Sequence, residues 1–273
     1  MTEARASTDL PITIIVTADD GGTGKTVFAT QIAAFARLNN VQIAAYQLDS
    51  KDKLAAKTGL EVTSLSIGAS RNNADEIVAS DIIAPWYSAV TGQDRTSTML
   101  EVGGANAALF HAGIAEFDFE EDIQYLNIDV RTFVLCKAGE DSARQAVREV
   151  RRLEANIPGS KVIIVKNEMH GCPVAAATHF DSALRRDFLN LLKKYPSIRL
   201  PKVRLRSMAL YERLHVPPDA VVSWHKDGYR EAMVRTSCPR PEAKLFVKDI
   251  AAWTGTIFDE LTLVLSEWVS DHE

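Results

Sequence analysis

Short β-branched and aliphatic runs alternate along this chain with longer stretches whose apolar positions recur every three or four residues. Ile12 to Val16 is the first such run, and it ends in Asp19-Asp20-Gly21-Gly22-Thr23-Gly24. Beyond it Phe28, Ile32, Phe35 and Ala36 fall at i, i+4, i+7 and i+8, which makes one apolar helix face. Asn39-Asn40 stops that helix, and Val41 to Leu48 reads as a second strand. Further strands are expected at Thr98–Val102, Arg131–Cys136, Lys161–Lys166 and Ile198–Val203. Helical patterns lie between them at Asp75–Val90, Asn106–Ala115, Ser142–Ala155 and Phe180–Lys194. The tail is expected to be helical from about residue 207, with a closing helix over Glu242–Ser270. A strand, a glycine loop, a helix and a strand open a parallel sheet, so the pattern predicts an α/β fold. Its form is a doubly wound, mostly parallel sheet flanked by helices. No repeat or Gly/Ser/Pro-rich linker divides the chain, so residues 1–273 are read as one domain.

Composition removes several classes of function. Among 273 residues, 46% are hydrophobic, too many for a chain whose main state is disordered. No apolar run approaches the roughly 20 residues of a membrane span, and Met1 to Leu10 does not read as a signal peptide. Cys136, Cys172 and Cys238 make no C-x-x-C pair, which argues against a disulfide scaffold or zinc ribbon and for a reducing cytoplasm. The net charge of −5 is unlike that of a wholesale polyanion binder, although a local basic face is compatible with it.

The chemistry gathers at Gly21-Gly22-Thr23-Gly24-Lys25-Thr26, between a strand and a helix. Glycines there let backbone N–H groups turn inward around phosphates. The helix N-terminus adds partial positive charge, Lys25 a full one, and the Thr26 hydroxyl can ligate Mg²⁺. The fold expected is therefore that of a P-loop NTPase. The strict pattern G-x-x-x-x-G-K-T would place glycine at position 19, where this chain has Asp19.

With that departure, Ala18 to Thr26 resembles the deviant Walker A loop of the ParA/MinD group of ATPases. The resemblance spans most of the first 170 residues in the order of motifs, and Gly21, Gly22, Gly24, Lys25 and Thr26 fall on the family's loop. It implies ATP and Mg²⁺ as cofactors and a homodimer closed around nucleotide, positioning a plasmid, a division site or other cargo. Where the family carries a lysine that reaches the partner's phosphates, this chain has Asp20, so slow hydrolysis is expected.

The same resemblance assigns three more residues. Asp49, 24 residues after Lys25, matches the second acid of the family's D-x-D, which acts at Mg²⁺ and the attacking water; Gln47 replaces the first. As local chemistry Asp49 could equally cap a helix starting near Lys51. Leu100-Glu101-Val102-Gly103-Gly104 resembles the family's hhhhD-x-x-G, with Glu101 at the Mg²⁺ and glycines leaving room for the γ-phosphate. Asn167, closing Val162 to Lys166, takes the place of an asparagine that contacts adenine; a turn asparagine is the plain alternative. Lys25 and Asp49 are thus the candidate catalytic pair. Gly21 to Thr26 and Asn167 are the nucleotide contacts, and Thr26, Asp49 and Glu101 the Mg²⁺ ligands.

Other features bear on partners. Arg144, Arg148, Arg151 and Arg152, and the set Lys193, Lys194, Arg199, Lys202, Arg204 and Arg206, read as DNA-phosphate stripes or as solvated faces. Either DNA or a DNA-binding adaptor is the expected partner. Trp253, Phe258, Leu261, Leu265 and Trp268 suit packing or a partner, on a helix too acidic for an anionic membrane. Within the group, Leu-Glu-Val-Gly-Gly and Lys166-Asn167-Glu168 look most like the TraL-type ATPases of plasmid conjugation and stability. A different class also fits the loop. Asp20 and the Glu101–Gly104 run resemble dethiobiotin synthetases, ATP-dependent ligases, although Tyr46-Gln47-Leu48-Asp49 lacks their substrate-binding lysine and proline. A scaffold that binds nucleotide without hydrolysing it is the third alternative.

Overall fold

The computed structural model of the protein describes residues 11–19, 21–49, 53–65 and 79–269. The first half runs β1 (Ile12–Thr17), α1 (Lys25–Leu38), β2 (Ile43–Leu48), α2 (Lys53–Thr58), β3 (Val62–Ser64), α3 (Ala79–Thr91) and β4 (Ser97–Val102). It continues with α4 (Ala107–Glu116), α5 (Phe119–Tyr125), β5 (Asp129–Lys137), α6 (Glu140–Asn156) and β6 (Lys161–Asn167). The remainder is α7 (Pro173–Ala176), α8 (Ser182–Lys194), β7 (Ser197–Leu200), α9 (Leu205–Arg213), α10 (Pro218–Ser223), α11 (Arg230–Thr236) and α12 (Arg240–Thr262). The seven strands form one all-parallel sheet in the order β3-β2-β4-β1-β5-β6-β7.

All six residues of β1 are buried, as a central strand covered on both faces requires. Its side chains alternate between two cores. Ile12, Ile14 and Val16 join α1 and the C-terminal helices, while Ile15 joins the layer built on α3, α4, α6 and α8. The chain leaves β1 toward β2 and returns across it to β5, so β1 marks the switch in strand order. In such sheets the crevice at the strands' C-terminal ends is where ligands bind. The glycine loop after β1 stands there.

Boundaries differ from the sequence expectation where local hydrogen bonding competes. β2 starts at Ile43 instead of Val41, because Asn40 turns left-handed (φ 57°) and the Val41 amide caps α1 at Ala36 O, 2.9 Å away. β7 ends at Leu200 since Pro201 has no N–H for the ladder. The closing helix α12 stops at Thr262 and a short 3₁₀ turn covers Ser266–Trp268. Trp253, Leu261, Leu265 and Trp268 are buried and Phe258 meets Phe35 edge-on at 5.4 Å, so this face packs onto the domain instead of awaiting a partner. Part of the expected helix Asp75–Val90 lies outside the described residues; the described part begins at Ala79.

Arg131, 4% exposed at the start of β5, ties this tail to the sheet. Its guanidinium donates to both Glu267 carboxylate oxygens (2.6 and 2.9 Å), to Asp129 (2.7 Å) and to Val264 O. Replacing Arg131 with alanine is expected to cost about 2 to 3 kcal/mol of unfolding free energy in urea titrations. That is below the range for a fully buried pair because Glu267 is half exposed. The Arg131 hydrogen bonds hold the Glu267 carboxyl down at about 2. Its contribution is therefore complete above the ordinary carboxylate range and lost as pH falls toward 2. The variant's deficit should shrink over that window, and a deficit equally large at pH 2 would contradict this account.

Candidate functional site

β1 delivers the chain into a loop that only glycine makes without strain at two places, Gly22 (φ 69°) and Gly24 (φ 93°). Lys25 opens α1, is 7% exposed, and donates from Nζ to Ala18 O across the loop at 3.2 Å. Beside it the Thr26 hydroxyl donates to Glu101 Oε1 at 2.5 Å. Glu101 arrives on β4, in register with Val16 of β1 and Gln47 of β2. It is 1% exposed, and its Oε2 has no hydrogen-bond partner. Burial pushes its carboxyl up to about 7 against the Thr26 hydroxyl and the Lys25 charge, while Asp49 adds to the rise.

Asp49 follows β2 and lines the same cleft. Residues 50–52, including Lys51, lie outside the described residues, so the alternative of Asp49 as a helix cap lies there too. Gly103 explains how Asp49 comes so close. A Cβ at Gly103 would stand 2.9 Å from Leu48 O and 3.0 Å from Asp49 Cγ, so this glycine makes room for β2's end. Sequence reasoning reserved that room for a phosphate. The Gly103 amide and the Asn106 side chain both donate to Leu48 O, at 2.8 and 3.1 Å, fixing the two strand ends side by side.

Asn167 reaches the loop rather than standing apart from it. Its Nδ2 donates to Thr23 O at 2.7 Å, and its Oδ1 accepts from the Met169 amide at 3.0 Å. One N–H and one acceptor position are thus already used in bracing the loop, and only the remainder is left for an adenine edge. The Met169 bond is the turn role that the sequence offered as the plain alternative, whereas the brace on Thr23 was not disclosed by position in sequence.

The loop is also held from behind. Asp19, at the place of the missing glycine, accepts from Arg148 Nε at 2.6 Å and from Arg152 Nη1 at 3.3 Å. Deeper, the Thr17 hydroxyl and His111 both meet Glu149 Oε1, at 2.8 and 3.2 Å. Burial pushes the Glu149 carboxyl up, yet His111, Thr17 and Arg152 outweigh it and hold the group below the usual range. Asp20 lies outside the described residues.

Both arginine-rich clusters are largely engaged. Arg144 pairs with Glu140, Arg151 with Asp187, Lys194 with Glu154, Arg199 with Glu260 and Arg206 with Glu242. Pairing of this kind describes a solvated, mixed-charge face better than a stripe for DNA.

The cleft holds about 1020 Å³ and joins the loop, Asp49, Glu101 and Asn167 to side chains from α2 and α9. Among the described residues no group of three or more His, Cys, Asp and Glu gathers to hold a metal. Mg²⁺ does not need one, since it takes one or two protein oxygens and completes its shell with water and phosphate. The residues present fit Mg²⁺ and a nucleotide: a hydroxyl and a carboxylate in contact, a carboxylate oxygen without a partner, and a glycine loop open at a helix N-terminus. No described helix is long and apolar enough to cross a membrane.

No protein-family model matches the chain, and no curated protein matches it. It is similar to several solved structures. One is the MinD cell division protein of Aquifex aeolicus, at 15% identity over 89% of this chain and 97% of that one, with a TM-score of 0.40. Another is the septum site-determining protein MinD complexed with Mg-ADP from Pyrococcus horikoshii OT3, at 13% over 88% and 95%, TM-score 0.41. A third is apo McdA of Cyanthece, at 12% over 86% and 99%, TM-score 0.44. On its own topology and loop placement, the fold is that of a P-loop NTPase.

Proposed function

We propose that the protein is a Mg-ATP-binding ATPase of the ParA/MinD kind, working as a nucleotide-gated dimer in plasmid partition, conjugal transfer or cargo positioning. The observation that carries this is the contact of Thr26 with Glu101, above a glycine loop whose Lys25 is already drawn in. It brings the loop motif and the β4 carboxylate, 75 positions apart, into contact, which supports reading them as one phosphate and metal site. Bound Mg²⁺ would offset phosphate charge there. Lys25 and the loop amides would orient the phosphates, Glu101 and Thr26 would supply oxygen ligands to the metal, and Asp49, which lines the same cleft, would act at the metal and the attacking water. Arg148 and Arg152 keep Asp19 off the phosphates. ATP closes the dimer, and the closed form recruits an adaptor or DNA.

Asp20 sets the expected character of the switch. An acid at that position supplies no positive charge to a partner's phosphates, where negative charge develops in phosphoryl transfer. Basal turnover is expected to be slow, and dimerisation weak, with a slowly hydrolysed ATP analogue. The variant Asp20→Lys is expected to strengthen analogue-dependent dimerisation at least tenfold, read by light scattering. A wild-type protein that already dimerises tightly and turns over briskly would sink this reading of Asp20.

A further inference from the structure

The cleft extends past the phosphate loop. Its far wall is made by Lys53 and Lys57 of α2, by Met208, Ala209 and Glu212 of α9, and by His215. Lys57 is the residue that stands out. It is only 8% exposed, yet it lines the cleft. Among the described residues it forms no hydrogen bond or ion pair. Its ammonium lies over the Tyr211 ring, 6.0 Å from the centroid. Burial draws its pKa down, and Glu212 pushes it back up more than Glu101 does. A buried cation without a bonded anion costs stability, and chains seldom keep one unless something binds it.

We propose that Lys57 anchors a second ligand site in this cleft, taking the carboxylate or phosphate group of a small molecule that lies beside the nucleotide. This rests on the reading of the glycine loop as a nucleotide site. Three features direct it. The cleft's 1020 Å³ is at the upper limit of pockets that hold one ligand, about 300–1,000 Å³. Lys57 comes from α2 and holds its ammonium over the Tyr211 ring of α9, whereas Lys25 opens α1 at the loop itself. A group this deeply set is beyond the reach of a duplex backbone, which favours a small anion over DNA. Lys53 at the rim adds charge of the same sign, and Glu212 opposite would receive any donor group of the same molecule.

The test uses inorganic phosphate as the probe, in two arms measured by isothermal titration. In the first, wild-type protein is saturated with Mg²⁺ and a non-hydrolysable ATP analogue, so the loop is filled before phosphate is added. In the second, the Lys25→Ala protein is titrated with phosphate and no nucleotide, so the site is tested even if the loop does not take ATP. Phosphate is expected to bind in both arms and to weaken at least tenfold in each with Lys57→Gln. The Lys57→Gln protein should melt no lower than its parent, since a buried charge has been removed. Failure of the analogue to bind, with phosphate still sensitive to Lys57, would reject the nucleotide reading and keep the second site. Phosphate binding that is absent, or indifferent to Lys57→Gln, would overturn it. So would a variant that weakens the ATP analogue but not ADP, because Lys57 would then face the γ-phosphate.

Discussion

Lys25→Ala is expected to abolish Mg-ATP binding in isothermal titration and to remove any rise in melting temperature that ATP confers. Lys25 is nearly buried at the start of α1, with its ammonium held over the loop by Ala18 O. Charge-assisted hydrogen bonds are worth about 1.5 to 3 kcal/mol each. Losing two such contacts to phosphate oxygens costs about 3 to 6 kcal/mol, or roughly a hundredfold to ten-thousandfold in Kd. Lys25→Met separates charge from volume. It keeps most of the packing and should lose binding as fully as alanine does. Unchanged affinity in either variant would show that the glycine loop is not the nucleotide site.

The sheet was legible in the sequence wherever burial on both faces makes a strand a continuous apolar run, as in Ile12–Val16 and Val162–Val165. α6 was legible because its apolar residues keep to one stripe, with Ala143, Ala146, Val147, Val150 and Leu153 buried. β3 was not, because three residues at a sheet edge, Val62 half-buried and Thr63 and Ser64 exposed, carry no period. α5 was missed since Phe119-Glu120-Glu121-Asp122 reads as an acidic loop, and only Phe119 and Ile123 turn inward. At the site, the loop was readable as a local motif. Its supports were not, because each depends on a contact across the fold. Asn167 on Thr23, Arg148 on Asp19 and Gly103 against Asp49 join residues that no spacing rule connects. Lys57 is the same case, a lysine on a short helix that reads as solvated until α9 covers it.

Glu101→Gln is expected to stabilise the nucleotide-free protein while weakening its response to Mg²⁺. In the folded chain, burial keeps the Glu101 carboxyl protonated up to about 7, whereas an unfolded chain releases that proton near 4.5. Between those values the folded state holds the extra proton, so wild-type stability falls as pH rises through the window. Above about 7 the full cost of the buried charge is present, on the order of 3 kcal/mol. The amide keeps an oxygen for the Thr26 hydroxyl and removes the charge. The variant should therefore outlast wild type in urea at pH 8, and the two should converge toward pH 4.5. Nucleotide affinity should move the other way. With EDTA present the two proteins should bind ATP alike, and with Mg²⁺ the variant should gain at least tenfold less than wild type. Equal stability at pH 8 would show that Glu101 is ionised at no cost, with a partner for its second oxygen. An undiminished Mg²⁺ effect would take Glu101 out of the metal site and leave its burial to be explained by β4 packing alone.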